Sequence, residues 1–165
     1  MHYTALLSLL VVPVMSKALK YHVPSSLQAR ACQLPANFTV SDLTIYTDDV
    51  DNNKNYTSFS YSDVGTGIDT YCSRNSTSKP GTVNEGSWPC DNSNVAFIYD
   101  ATVPKSYLTI VEIACPETGV HIEASGEVRP DLTCKNSTSG STCVAKQSSM
   151  TGIFVSLEPT PPPSR

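Results

Sequence analysis

Helical periodicity is what this 165-residue chain has least of, and several catalytic signatures are missing with it. Gly-x-Ser-x-Gly is absent, so no serine nucleophile stands on a strand-to-helix elbow. Cys-x-x-Cys spacing and Cys/His clusters are also absent, which argues against a structural zinc or a thiol redox pair. Charged residues make up only 16%, with a net charge of −4. That mildly acidic balance disfavours nucleic acid or an anionic membrane as a partner. Beyond the N-terminus there is no second long apolar run, and "EPTPPPSR" offers no hydrophobic tail for a lipid anchor.

The beginning of the chain, "MHYTALLSLLVVPVMSKALKYH", reads as a secretory leader. Its apolar run from Ala5 to Met15 is too short to span a hydrocarbon core of about 30 Å, and Ser16-Lys17-Ala18 has the small-x-small form of a signal-peptidase site. Four sequons agree with export: Asn37-Phe-Thr, Asn55-Tyr-Thr, Asn75-Ser-Thr and Asn136-Ser-Thr. The expectation is a secreted, extracellular glycoprotein. Residues 1–18 are read as the signal peptide, 19–36 as an N-terminal arm or a propeptide ending at Arg30, 37–158 as one domain, and 159–165 as a Pro-rich disordered tail.

Within that domain, short runs rich in β-branched and aromatic residues alternate with Gly, Pro, Asn and Asp. Strands are expected over 38–47, 56–63, 68–73, 95–99, 107–114, 120–128 and 153–157, with a short extra piece at 144–146. In "VHIEASGEV", Val120, Ile122, Ala124, Gly126 and Val128 share one face, and His121, Glu123, Ser125 and Glu127 share the other. In "YLTIVEIA", Leu108, Ile110 and Glu112 share a face. Many short strands separated by turn signals imply an all-β fold, a compact antiparallel β-barrel or sandwich of about seven or more strands.

All six cysteines follow the leader, at 32, 72, 90, 115, 134 and 143. An even number in a small secreted domain implies disulfide staples, with fifteen full pairings open. Local spacing favours Cys72 with Cys90 and Cys134 with Cys143. Cys32 and Cys115 are then left to staple the arm to a central strand.

Candidate sites are sparse. His121, beside Glu123 on a wet strand face, is a base candidate outweighed by an ordinary surface role. Glu112, Glu123 and Glu127 could share one sheet face and supply the paired carboxylates of a hydrolase, although such rows more often serve solubility. In "DDVDNNKN", Asp49, Asp51, Asn53 and Asn55 fall at alternate positions of a calcium loop. Lys54 and Ser60 stand where that loop needs Gly and Glu, so an Asp/Asn-rich turn is the simpler reading and no metal is expected. Trp88, in "EGSWPC", packs against a disulfide or stacks on a ligand, with Tyr61 and Tyr71 as further strand-face candidates for binding a small apolar molecule or cell-wall glycan.

The order "YTSFSYSDVGTGIDTYC", "GSWPC", "VAFIY", "YLTIVEIA", "VHIEASGEV" and "LTCKNSTSGSTCVAKQ" resembles the Alternaria major allergen family, which includes secreted fungal elicitors. The resemblance implies a compact antiparallel β-barrel with Cys72–Cys90 and Cys134–Cys143 bonds. It also implies a non-enzymatic, allergen-like effector or virulence protein without a cofactor. Its expected partner is a host extracellular protein, with thaumatin-like pathogenesis-related proteins as candidates. Cys32 matches the cysteine that links two subunits in the allergen. This chain has the additional Cys115, so both a monomer with a Cys32–Cys115 bond and a Cys32-linked dimer are open.

Overall fold

A computed structural model describes residues 19–28, 32–81, 86–101, 106–118 and 122–159. Residues 1–18, read above as a signal peptide, His121 and residues 160–165 lie outside the described residues. A single-turn helix α1 (Ser25–Gln28) precedes ten antiparallel strands: β1 (Asn37–Asp48), β2 (Tyr56–Asp63), β3 (Ile68–Arg74), β4 (Trp88–Pro89), β5 (Val95–Asp100), β6 (Tyr107–Ala114), β7 (Ile122–Val128), β8 (Leu132–Ser137), β9 (Gly140–Ala145) and β10 (Ser149–Pro159). Their order in the sheet is β3-β2-β1-β10-β7-β6-β5-β4, and the β8–β9 hairpin adds to β1.

This is the expected all-β barrel, nearly closed. Its two edges, β3 and β4, meet through the Cys72–Cys90 disulfide. The Asp91 N–H also donates to the Tyr71 carbonyl (2.9 Å), and the Asn92 N–H donates to Thr70 Oγ1 (2.9 Å). A covalent bond and a few hydrogen bonds therefore cover an edge that would otherwise present unpaired backbone to other chains.

β1 is the longest strand and serves two neighbours in turn. Residues Asn37 to Ser41 pair with β10, whereas Thr44 to Asp48 pair with β9. Asp42 sits at the change-over with φ 57°, and the β1–β2 register shifts between Ser41 and Thr44. A bulge adds a residue and bends the strand, and Asp tolerates the left-handed conformation better than a β-branched residue. The Asp42 N–H donates to the Ser148 carbonyl (3.2 Å), which secures the bend.

Alternation then fills the interior. Phe38, Val40, Phe59, Tyr61, Phe97, Leu108, Ile110 and Phe154 are almost wholly buried. Phe59 meets Phe97 edge to face at 4.9 Å, and Phe38 lies 4.9 Å from Phe154. The Phe38 ring fits because two glycines face it. A Cβ built on Gly152 would come within 2.2 Å of Phe38 Cζ, and one on Gly126 would come within 2.7 Å of Phe38 Cε1.

Two differences from expectation are local. Leu132–Ser137 and Gly140–Ala145 form a true hairpin with Cys134 directly opposite Cys143, where only the Cys134–Cys143 pair and a short piece at 144–146 were expected. Its residues face mostly outward, so no alternation of apolar side chains marks it. β4 is two residues long and contains Pro89, which cannot donate to a ladder and hides the strand in the sequence. In the arm, Leu27 is 2% exposed and packs with Tyr21 and Val23 on the core.

Replacing Gly152 with Ala should therefore destabilise the fold by about 1–3 kcal/mol through overpacking. A Phe38→Leu change in the same chain should recover part of that loss, because the two positions share one space. Urea denaturation of the single and double variants measures both effects.

Candidate functional site

The residues singled out in the sequence do not converge. Tyr61 faces the interior and Tyr71 faces outward, because they lie on neighbouring strands one register step apart; Tyr61 opposes Thr70, and Tyr71 opposes Ser60. Tyr71 is 48% exposed. Trp88 opposes Phe97 and packs on the core. The Arg74 guanidinium lies 4.3 Å over its ring, a cation–π contact. The register therefore puts Tyr61 and Tyr71 on opposite faces of the sheet, and the three side chains do not line one surface.

The glutamate row is corrected as well. Glu112 opposes Val95 and Ala124 on the inner face, whereas Glu123 opposes Ile113 and Glu127 opposes Thr109 on the outer one. The three carboxylates cannot flank one substrate bond. Glu127 instead pairs with Arg129 at 2.8 Å on the surface.

The Asp/Asn run is a capped turn. Asp48 Oδ1 accepts from the amides of Val50 (3.0 Å) and Asp51 (2.9 Å), and Asp51 Oδ1 accepts from Asn53 N–H (3.0 Å). Hydrogen bonds from the Asp51 and Val50 amides hold the Asp48 carboxyl below its ordinary pKa. Asn55 Oδ1 accepts from the Asp48 amide (2.7 Å). These oxygens serve the backbone of the turn between β1 and β2.

Of the sequon asparagines, Asn75 and Asn136 are exposed, and Asn37 and Asn55 are partly buried. Asn75 Oδ1 accepts from Thr77 N–H (2.9 Å) and Thr77 Oγ1 (2.8 Å). Asn136 stands within β8, opposite Ser141, and not in a loop.

All six cysteines are paired, as Cys32–Cys115, Cys72–Cys90 and Cys134–Cys143. Cys32, Cys115 and Glu117 bring three ligand-type atoms together, but both sulfurs are spent in the bond between them. Cys115 has φ 55°, a conformation uncommon for a residue with a side chain, and the disulfide anchors it there.

What sequence reading missed is a buried polar cluster at this end of the barrel. Tyr61 donates its hydroxyl hydrogen to Glu112 Oε2. Asp63 ends β2, is 1% exposed, and accepts the Gly65 amide (2.7 Å) and the Thr66 amide (3.3 Å) at Oδ1. Glu112 Oε1, Asp63 Oδ2 and Thr66 Oγ1 are buried without a hydrogen-bond partner among the described residues. From the arm, Tyr21 donates to the Pro35 carbonyl. The signal was present in "YLTIVEIA", where Glu112 shares its face with Leu108 and Ile110.

Burial is the largest influence on the Glu112 carboxyl and lifts its pKa to about 7; the hydrogen bond from Tyr61 and the nearby Thr66 hydroxyl oppose that rise, while the Asp63 charge adds to it. Asp63 is also raised, by burial, against the pull of its two amide donors and of Thr66. The Thr66 hydroxyl lies close enough to influence both carboxyls but completes a well-formed hydrogen bond with neither. Burial first, then the charges of Asp63 and Glu112, push Tyr21 up to about 12. Chemically, Glu112 can hold a proton near neutrality and can either donate or accept a hydrogen bond.

Two hollows lie near these elements. A pocket of about 410 Å³ reaches Glu112 and Thr66 past Ile68, Ile113, the Cys32–Cys115 bond and Glu117. A groove of about 330 Å³ runs outside the barrel over Ala96, Val111 and Ile113, rimmed by Pro80, Pro89 and Glu123. Among the described residues no helix is long and apolar enough to cross a membrane.

The class of molecule is now defined: an antiparallel barrel whose edges are joined by a disulfide, with a second disulfide across a late hairpin. Among solved structures, the crystal structure of the Alternaria alternata allergen Alt a 1 has this fold, with a TM-score of 0.52 over 78% of this chain and 92% of that one, at 16% identity. No family model and no curated protein matches the sequence.

The buried carboxyl has a consequence for stability. A carboxyl whose folded pKa is raised favours the folded state below its unfolded value, and that contribution is lost as pH rises through the folded value. For Glu112 the window runs from 4.5 to about 7, and Asp63 acts in the same direction. Urea midpoints should therefore fall as pH rises through this window. Glu112→Gln, which keeps the shape and can still accept from Tyr61, should flatten the slope.

Proposed function

We propose that this chain is a secreted, non-catalytic, allergen-like protein of the effector or elicitor kind. On this reading it acts outside the producing cell by binding a host protein, with plant defence proteins of the thaumatin-like pathogenesis-related kind as candidate targets. The observation that carries it is the Alt a 1-like barrel, matched over most of both chains. The interior supports it as well. Tightly packed aromatic rings occupy the barrel where a lipocalin-like carrier has a central cavity, so recognition of a large partner falls to the outer surface.

The β8 side of the β8–β9 hairpin lies on that surface. Residues from Thr133 to Ser139 are all exposed, and Asn136 is among them. A glycan on Asn136 would shield the hairpin, and the partner would then be met elsewhere. Glycans at Asn75 and Asn136 fit their exposure better than glycans at Asn37 and Asn55.

A second reading draws on the outer groove. Its floor of Ala96, Val111 and Ile113, with Pro80 and Pro89 at the rim, suits a small apolar molecule. Trp88 adjoins Pro89 and would report occupancy by fluorescence.

Pull-down from plant apoplast fluid with the glycosylated protein should recover a host defence protein, and infiltrated leaves should respond. Recovery of no host protein, with silent leaves, would sink the first reading. A Trp88 fluorescence titration that stays flat with apolar ligands would remove the second.

A further inference from the structure

The pocket beside the Cys32–Cys115 bond combines features that neither reading uses. Its lining includes Glu112, 0% exposed, whose Oε1 has no partner among the described residues, and Thr66, whose buried Oγ1 has none among them either. Buried polar atoms left without partners are uncommon, because each loses its hydrogen bonds to water and gains none in return. The remaining wall is mixed: Ile68, Ile113, Pro116 and the disulfide are apolar, and Gln33 and Asn94 are polar. Glu117 adds a second carboxylate, and it is exposed.

Charge is unbalanced here. The Asp63 charge acts on Glu112, and neither carboxyl has an ion-pair partner among the described residues. The groups facing Glu112 are Tyr61 and Asp63 from β2, Thr66 from the following turn, Tyr21 from the arm and Glu117 from the pocket wall. Its cross-strand partners, Val95 and Ala124, carry no charge. All the titratable groups in this set are acids or phenols.

We propose that this pocket binds a small organic ammonium ion. Its N–H groups donate to Glu112 Oε1 and Thr66 Oγ1, and its hydrocarbon body lies against Ile68, Ile113 and Pro116. The volume of about 410 Å³ falls in the range of small-ligand sites. A cation supplies both the missing donors and the missing charge, and a neutral alcohol of the same shape supplies only a donor. Binding is also coupled to loss of the Glu112 proton, since the ammonium ion favours the carboxylate.

Phenethylammonium and its neutral counterpart 2-phenylethanol test this in calorimetric titrations at about pH 5 and about pH 8, where an alkylammonium stays protonated. Phenethylammonium should bind at least about tenfold more tightly at the higher pH, and 2-phenylethanol should bind more weakly with no such dependence. Amide NMR signals of Thr66 and Glu117 should shift, while those of Lys79 and Ala96 in the outer groove should not. Glu112→Gln should weaken phenethylammonium binding and remove its pH dependence. If that variant does not fold, the two ligands on the unaltered protein still decide the matter. No saturable binding, equal affinity for the two ligands, pH-independent binding of the ammonium ion, or shifts confined to the outer groove would each overturn the proposal.

Discussion

The bend in β1 at Asp42 is the constraint on which the rest of the barrel depends. A straight twelve-residue strand would meet one partner on each side along its length. Bent there, β1 pairs first with β10 and then with β9 while keeping β2 on its other side. The first half brings Phe38 and Val40 into the core, and the second carries the hairpin outward. Gly152 and Gly126 complete the arrangement, since the Phe38 ring takes space that side chains there would occupy. Phe38 therefore couples β1, β7 and β10.

Closure of the barrel is a different kind of problem. Twist brings β3 and β4 together, but β4 is too short to form a full ladder with β3. The Cys72–Cys90 bond does what hydrogen bonding alone cannot, and Trp88 with Arg74 across it covers the seam. The Cys32–Cys115 bond works at the barrel end, where it draws the arm against the body and walls the acidic pocket. Each of two staples thus shapes a place where the sheet stops, and the third ties the exposed hairpin.

Inside the barrel, one face of β6 carries Leu108, Ile110 and Glu112 together. Alternation alone placed Glu112 with its apolar neighbours, but charge suggested a surface row with Glu123 and Glu127. Burial prevailed because Tyr61 offers Glu112 a hydroxyl donor and because a carboxyl can keep its proton when desolvated. The same register turned Tyr61 inward and Tyr71 outward, which separated two tyrosines expected to act together.

The amino-acid sequence by itself determined the all-β class and the seven principal strand positions, because period-two patterning records which face is apolar. It also marked the turns, where Asp, Asn and Gly meet local backbone demands, and the local spacing of two cysteine pairs. It could not reveal β4 or the β8–β9 hairpin, whose residues bury too little for alternation to show. Only the tertiary structure decided where Cys32 goes, which carboxylate is buried, and which polar groups meet at the barrel end. Those depend on register between strands far apart in the chain, and a register is set by the packing of the whole core.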